Sequence, residues 1–189
     1  MEATDIQRAL ADIGWPIAVD GDVGPQTRQA VADFQRGYAW DALDVDGKVG
    51  PRTEAALAHS LLTGGSCSRY FMFREFASKG NGWIKVAAAL AWGLDRFRER
   101  AGVPVVPVSG YRDPARNRQV GGATSSQHLH GNACDVPQVL STDDVRGLRA
   151  FSGIGIVRAT GRVAHVDVRH VGPNTTGGTI EDPTVWFYG

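Results

Sequence analysis

Residues able to do chemistry gather in three stretches of this 189-residue chain. Ser126-Gln127-His128-Leu129-His130-Gly131-Asn132-Ala133-Cys134-Asp135 places a histidine and an aspartate seven positions apart with small residues between them. Val163-Ala164-His165-Val166-Asp167-Val168 places a second pair two apart, and Ser109-Gly110-Tyr111-Arg112 sets a cation ahead of both. Neutral imidazole and carboxylate are donors that a divalent zinc ion takes, and a catalytic zinc site keeps three protein ligands and one open position. His128 and Asp135 are two candidates, and His165 is the best-placed third. On a strand His165 and Asp167 share one face. Asp167 would then take a proton from metal-bound water, or brace a ligand from behind.

The other candidates read as ordinary. His59, His130 and His170 fit surface or core positions. Ser126 shapes its loop, because no separate histidine–acid pair is available to activate it. Cys134 faces away from Asp135 on a strand. Cys67 and Cys134 are too few for a disulfide scaffold, and their pairing stays open.

The elements that position these residues follow from periodicity. Val86, Leu90, Leu94 and Phe97 predict a long helix from Trp83 to Ala101, ended by Gly102. Val103 to Val108 is β-branched and predicts a short strand. A turn at Gly110–Pro114 leads to a short polar helix around Ala115 to Val120. Gly121 to Gly131 reads as a loop and Ala133 to Val136 as a strand. Ser141 or Thr142 caps a helix running to about Phe151, with Asp143 and Asp144 in its first turn. Residues 153–157 and 163–168 predict a hairpin, residues 172–183 a loop, and Val185–Tyr188 a last strand. The sum is an α+β domain over residues 67–189 with a mainly antiparallel sheet.

The first 62 residues differ. Asp20-Gly21-Asp22-Val23-Gly24-Pro25-Gln26-Thr27 recurs as Asp46-Gly47-Lys48-Val49-Gly50-Pro51-Arg52-Thr53, 26 positions later. Each copy is a glycine-bearing turn with proline opening a helix. Ala30, Val31 and Phe34 follow the first copy, Ala55, Ala56 and Leu57 the second, and Ile6, Leu10 and Ile13 mark a helix before both. A small three-helix domain over residues 1–62 is expected, joined by a linker at 63–66.

Composition sets outer bounds. Lys+Arg and Asp+Glu number 20 each, so the formal charge is zero, which argues against nucleic acid as the main partner. No apolar run has the roughly 18 residues of a membrane span, so no membrane insertion is expected. No basic segment and apolar core open the chain, so no secretory signal is expected.

The duplicated Asp-Gly-x-Val-Gly-Pro-x-Thr motif, followed by Ala-Val-x-x-Phe-Gln, resembles the peptidoglycan-binding domain of cell-wall hydrolases. The Ser-x-His-x-x-Gly-x-Ala-x-Asp pattern at 126–135, with Ser109–Arg112 before it and His165-x-Asp167 after it, resembles the zinc D-Ala-D-Ala carboxypeptidase and L-alanyl-D-glutamate endopeptidase superfamily. That resemblance implies Zn2+ held by His128, Asp135 and His165, with Arg112 binding substrate and the developing oxyanion. It implies bacterial peptidoglycan as partner and action at the wall; a monomer is expected. The origin expected is a phage endolysin released by the host lysis machinery, or a secreted protein without its leader. Arg162 stands where well-known members carry an acidic base three residues before the last histidine, and arginine is no base. Asp167 becomes the candidate base, with Glu181 and Asp182 behind it. A wall-binding protein whose zinc is only structural is the alternative.

Overall fold

The computed structural model describes residues 1–170 and 178–188. Three helices come first: α1 (Ala3–Ile13), α2 (Pro25–Gly37) and α3 (Pro51–Leu62). Proline opens α2 and α3 after an extended glycine, Gly24 or Gly50. Ile6, Ala9, Leu10 and Ile13 of α1 are buried with Ala30, Val31 and Phe34 of α2 and with Ala56 and Leu57 of α3. Ala55 turns out to solvent.

Each repeated turn is held by one buried glutamine. Gln7 donates Nε2 to Asp20 Oδ1 (2.7 Å), the Asp22 carbonyl (3.0 Å) and Thr27 Oγ1 (3.3 Å), and its Oε1 accepts from the Gly21 amide. Gln35 repeats the pattern on Asp46 (3.0 Å), the Lys48 carbonyl (2.8 Å), Thr53 (3.2 Å) and the Gly47 amide. The duplicated motif is therefore, at least, a device for seating a turn on a helix.

Residues 63–66 are hydrogen-bonded into the fold. Gly65 N donates to the Ser60 carbonyl (2.7 Å) and Gly65 O accepts from Phe73 N (2.9 Å). A 3-10 turn, Phe73–Phe76, then drives Phe73 between Trp15 and Phe34, with ring centroids 5.0 and 5.1 Å away. One buried apolar cluster runs through both parts of the chain.

The remaining elements are α4 (Ala88–Ala101), α5 (Pro114–Gln119), β1 (Ala133–Asp135), α6 (Thr142–Gly147), β2 (Gly153–Val157), β3 (Arg162–Asp167) and β4 (Thr184–Tyr188). The sheet order is β1-β3-β2-β4. β3 pairs antiparallel with β1 and β2, while β4 lies parallel to β2, so the sheet is mixed. Leu90, Leu94 and Phe97 of α4 and Ile154, Val163 and Val166 of the sheet are enclosed in the core.

Three expectations are corrected. The helix begins at Ala88, not Trp83, because residues 83–87 run extended. Ile84 bridges Ala77, and Ile84 and Val86 bury with a period of two. Residues 103–108 form no strand: Pro104 and Pro107 lack the amide a ladder needs, and only Val105 of the four valines is buried. The helix after Ser141 stops at Gly147, and Arg149 at φ 50° turns Ala150 and Phe151 into the core. The predicted loop 172–183 lies outside the described residues at 172–177.

Candidate metal centre

His128 arrives on a 3-10 turn, Gln127–His130, and Asp135 at the end of β1. Asp135 lies opposite His165 in the β1–β3 register, so the pairing of two short strands sets these side chains together. Cys134, one position back, is buried away from solvent, and Cys67 and Cys134 are two free thiols.

The ligating atoms make a small triangle. His128 Nε2 is 3.2 Å from Asp135 Oδ1, His165 Nδ1 is 2.9 Å from the same oxygen, and the two nitrogens are 3.3 Å apart. Metal–ligand bonds of about 2.0–2.2 Å at tetrahedral angles put ligand atoms roughly 3.3–3.5 Å apart. The triangle is therefore near the size a zinc ion needs.

The hydrogen bonds behind the rings fix what faces inward, and the tautomers follow from those bonds. His128 Nδ1 donates to the Gly110 carbonyl at 2.6 Å, leaving Nε2 a bare lone pair. His165 Nε2 donates to Asp167 Oδ2 at 3.3 Å, leaving Nδ1 bare. Two nitrogens and a carboxylate oxygen then point at one another with no proton between them, an arrangement that calls for a cation. Donor types, spacing and ring orientation all fit a divalent metal.

Burial lowers the His128 pKa, the direction that keeps imidazole neutral for a metal. Burial also pulls His165 down, but Asp135 and Asp167 outweigh it and its pKa lies above the ordinary histidine value. Without a cation, a proton on His165 would offset part of the negative charge. Burial pushes Asp135 up, yet the two histidines beside it hold the carboxylate well below its usual range.

Two cations stand behind the carboxylates. Arg112 gives Nη2 to Asp135 Oδ2 and Nε to Ser109 Oγ (3.1 Å). Arg169 gives Nε to Asp167 Oδ1 (2.8 Å) and Nη2 to Oδ2 (2.6 Å). Asp167 is 0% exposed; burial raises its pKa, but Arg169 and His165 bring it down to about 2. Gly153 makes room for it, since a Cβ there would lie 2.3 Å from the carboxylate.

The triangle opens on a cavity of about 840 Å³ lined by Arg112, Ser126, Gln138, Trp186 and Tyr188 among others. Trp186 packs edge-on to His165 at 5.1 Å and lies under the Arg169 guanidinium at 5.0 Å. Sequence reasoning missed Trp186, Tyr188 and Arg169. The closing Val-Trp-Phe-Tyr run was read only as a strand, though a period of two already puts Trp186 and Tyr188 on one face.

The other candidates sit elsewhere. Arg162 is exposed at the start of β3, with Nη1 on the Val139 carbonyl. Glu181 and Asp182 are not among the cavity-lining residues. His59 bonds Tyr38 and His170 bonds Ser152.

Comparison with known proteins adds two matches to families. The peptidase M15 model matches residues 69–171, and a peptidoglycan binding domain model matches residues 2–57. The zinc D-Ala-D-Ala carboxypeptidase of Streptomyces albus G is 33% identical over 134 residues, 65% of this chain and 51% of that protein. The chain thus spans about half the length of the curated relative it matches.

Proposed function

Because this chain belongs to the peptidase M15 family, we propose that it is a zinc metallopeptidase hydrolysing a peptide bond in the stem peptide of bacterial peptidoglycan. Residues 1–62 serve as its wall-binding domain, 63–66 as the connection and 67–189 as the peptidase domain. The proposal extends to a phage endolysin acting at the host wall. The observation that carries it is the triangle of His128, Asp135 and His165, three inward lone pairs opening on a peptide-sized cavity.

Bound zinc would acidify a water molecule and polarise the scissile carbonyl. His128, Asp135 and His165 would hold it. Asp167 keeps a proton on His165 Nε2, so that Nδ1 retains its lone pair. Of the two roles the sequence leaves open for Asp167, base or brace, the surroundings of its carboxylate support the brace. Asp167 is fully enclosed, bonded to Arg169 through both oxygens, and placed at the far nitrogen of the His165 ring. With a pKa of about 2 it is a poor proton acceptor near neutral pH. Arg112 orients Asp135 and presents the rest of its planar fork to a substrate carboxylate or developing oxyanion. Tyr188, whose phenol is protonated near neutral pH, offers a donor in the same cavity.

Purified protein is expected to release stem peptides from bacterial walls, to stop on EDTA and to recover with zinc. Mass spectrometry of the fragments identifies the bond. Protein that binds zinc and wall yet releases nothing overturns the enzyme reading in favour of a non-catalytic wall-binding protein with a structural zinc.

A further inference from the structure

The loop carrying two of the three metal-facing residues is held from outside, by a residue more than ninety positions away. Arg36, near the end of α2, donates Nη1 to the His130 carbonyl at 2.6 Å and Nη2 to Asn132 Oδ1 at 2.5 Å. Both acceptors lie between His128 and Asp135. The guanidinium is half-buried, and burial lowers its pKa without removing its charge in the neutral range. We infer that Arg36 is a positioning residue for the metal centre, so that the helical domain forms part of the support of the site.

Asn132 is the node through which Arg36 acts. Its amide and its Nδ2 donate to Gln127, to the carbonyl at 3.1 Å and to Oε1 at 3.2 Å, closing the turn that holds His128. Its carbonyl accepts from Val168 N at 2.9 Å, next to Asp167 on the strand that carries His165. One residue, through its side chain and its backbone, thus touches the supports of both histidines. Gly131, between the two acceptors, has φ +68°, and a Cβ there would lie 2.7 Å from the Lys85 backbone. Ala87 N donates to its carbonyl at 2.9 Å, so the loop is pinned against residues 85–87 as well.

The joint around Arg36 is built on both sides. Asp33, one turn earlier in α2, is buried and accepts from Trp83 Nε1 at 2.8 Å. Trp83 leads into residues 85–87, the segment on which Gly131 rests. The planar fork of arginine reaches two acceptors at once, which a lysine ammonium does not do in the same geometry. Partners that orient metal-bearing segments commonly change metal affinity by about 10- to 100-fold when removed.

This inference rests on the metal reading of His128, Asp135 and His165, and not on any substrate. The test is the dissociation constant of the full-length protein for Zn2+, by competition with a chromophoric chelator, with Co2+ absorption reporting ligand geometry. Arg36→Met is expected to weaken Zn2+ binding about 10-fold or more, to shift the Co2+ spectrum, and to speed amide exchange over residues 127–135. Arg36→Lys, which keeps charge and stem, is expected to fall between and serves if the methionine variant does not fold. A role in stability alone would lower the urea midpoint of metal-free protein and leave the Zn2+ constant unchanged, and that result overturns the proposal. Wild-type protein that binds neither ion overturns the metal reading itself.

Discussion

Two glutamines and two histidines show how differently this molecule treats buried polar groups. Gln7 and Gln35 meet donors with acceptors and acceptors with donors, so their turns close with nothing left over. His128 and His165 direct bare nitrogens at each other and at a carboxylate oxygen. Buried polar groups are costly unless paired. The first pair resolves that cost within about twenty residues of chain and makes structure. The second leaves it unresolved until a cation arrives, and so makes a site. The first answer recurs with the sequence repeat, while the second occurs where β1, β3 and a 3-10 turn meet.

The comparison breaks most visibly at the site. His128→Ala removes one of three donors, and losing metal polarisation worth several kcal/mol predicts a fall in kcat/KM on the order of 1,000-fold. Zinc content measured alongside must fall with it. Full activity in a zinc-poor variant would dispose of the metal assignment.

The opposite failure is predicted at the glutamine. Gln7→Ala strands the Gly21 amide and the acceptors at Asp20, Asp22 and Thr27. A loss of about 2–3 kcal/mol in urea unfolding is expected, with zinc affinity unchanged. A stable variant would show that water replaces the glutamine at little cost.

Asp167→Asn sharpens the division inside the site. As the partner of His165 Nε2, Asp167 should matter to metal affinity by about 10- to 100-fold. As a base it would leave affinity alone and collapse kcat. Chelator competition and steady-state kinetics on one preparation separate the two.

The smallest effect lies at a surface cap. Bonds from Ser141, then from Arg100, lower the Asp144 pKa from its ordinary 3.8 to about 2. A depressed carboxylate stabilises the fold above the unfolded value and loses that contribution as pH falls toward the folded value. The urea midpoints of wild type and Asp144→Asn should therefore differ most above about pH 4 and converge by about pH 2. A difference constant over that range would sink the assignment.

Parts of this were legible in the residues alone. The duplicated turns announce themselves because glycine, proline and threonine do local work at fixed spacing. The metal-facing trio was legible because ligand chemistry admits few residue types. Strand β4 was found, but its parallel pairing was not, since periodicity reports burial and not partner. The apolar spacing of residues 83–87 fits both periods over so short a run, and the bridge to Ala77 decides against helix. A shared strand face predicts that Asp167 lies beside His165, and leaves both a base and a bracing role open. The buried bond to Arg169 that holds it in the charged form needed coordinates.

The sequence by itself determined which residues could bind a metal and that the N-terminal turns repeat, because both follow from residue type and short spacing. Only the tertiary structure decided which nitrogen of each histidine faces inward, what stands behind Asp167, and that Arg36 of a distant helix grips the metal loop. Those are matters of direction and of contact between remote segments, and they exist only once the chain has closed on itself.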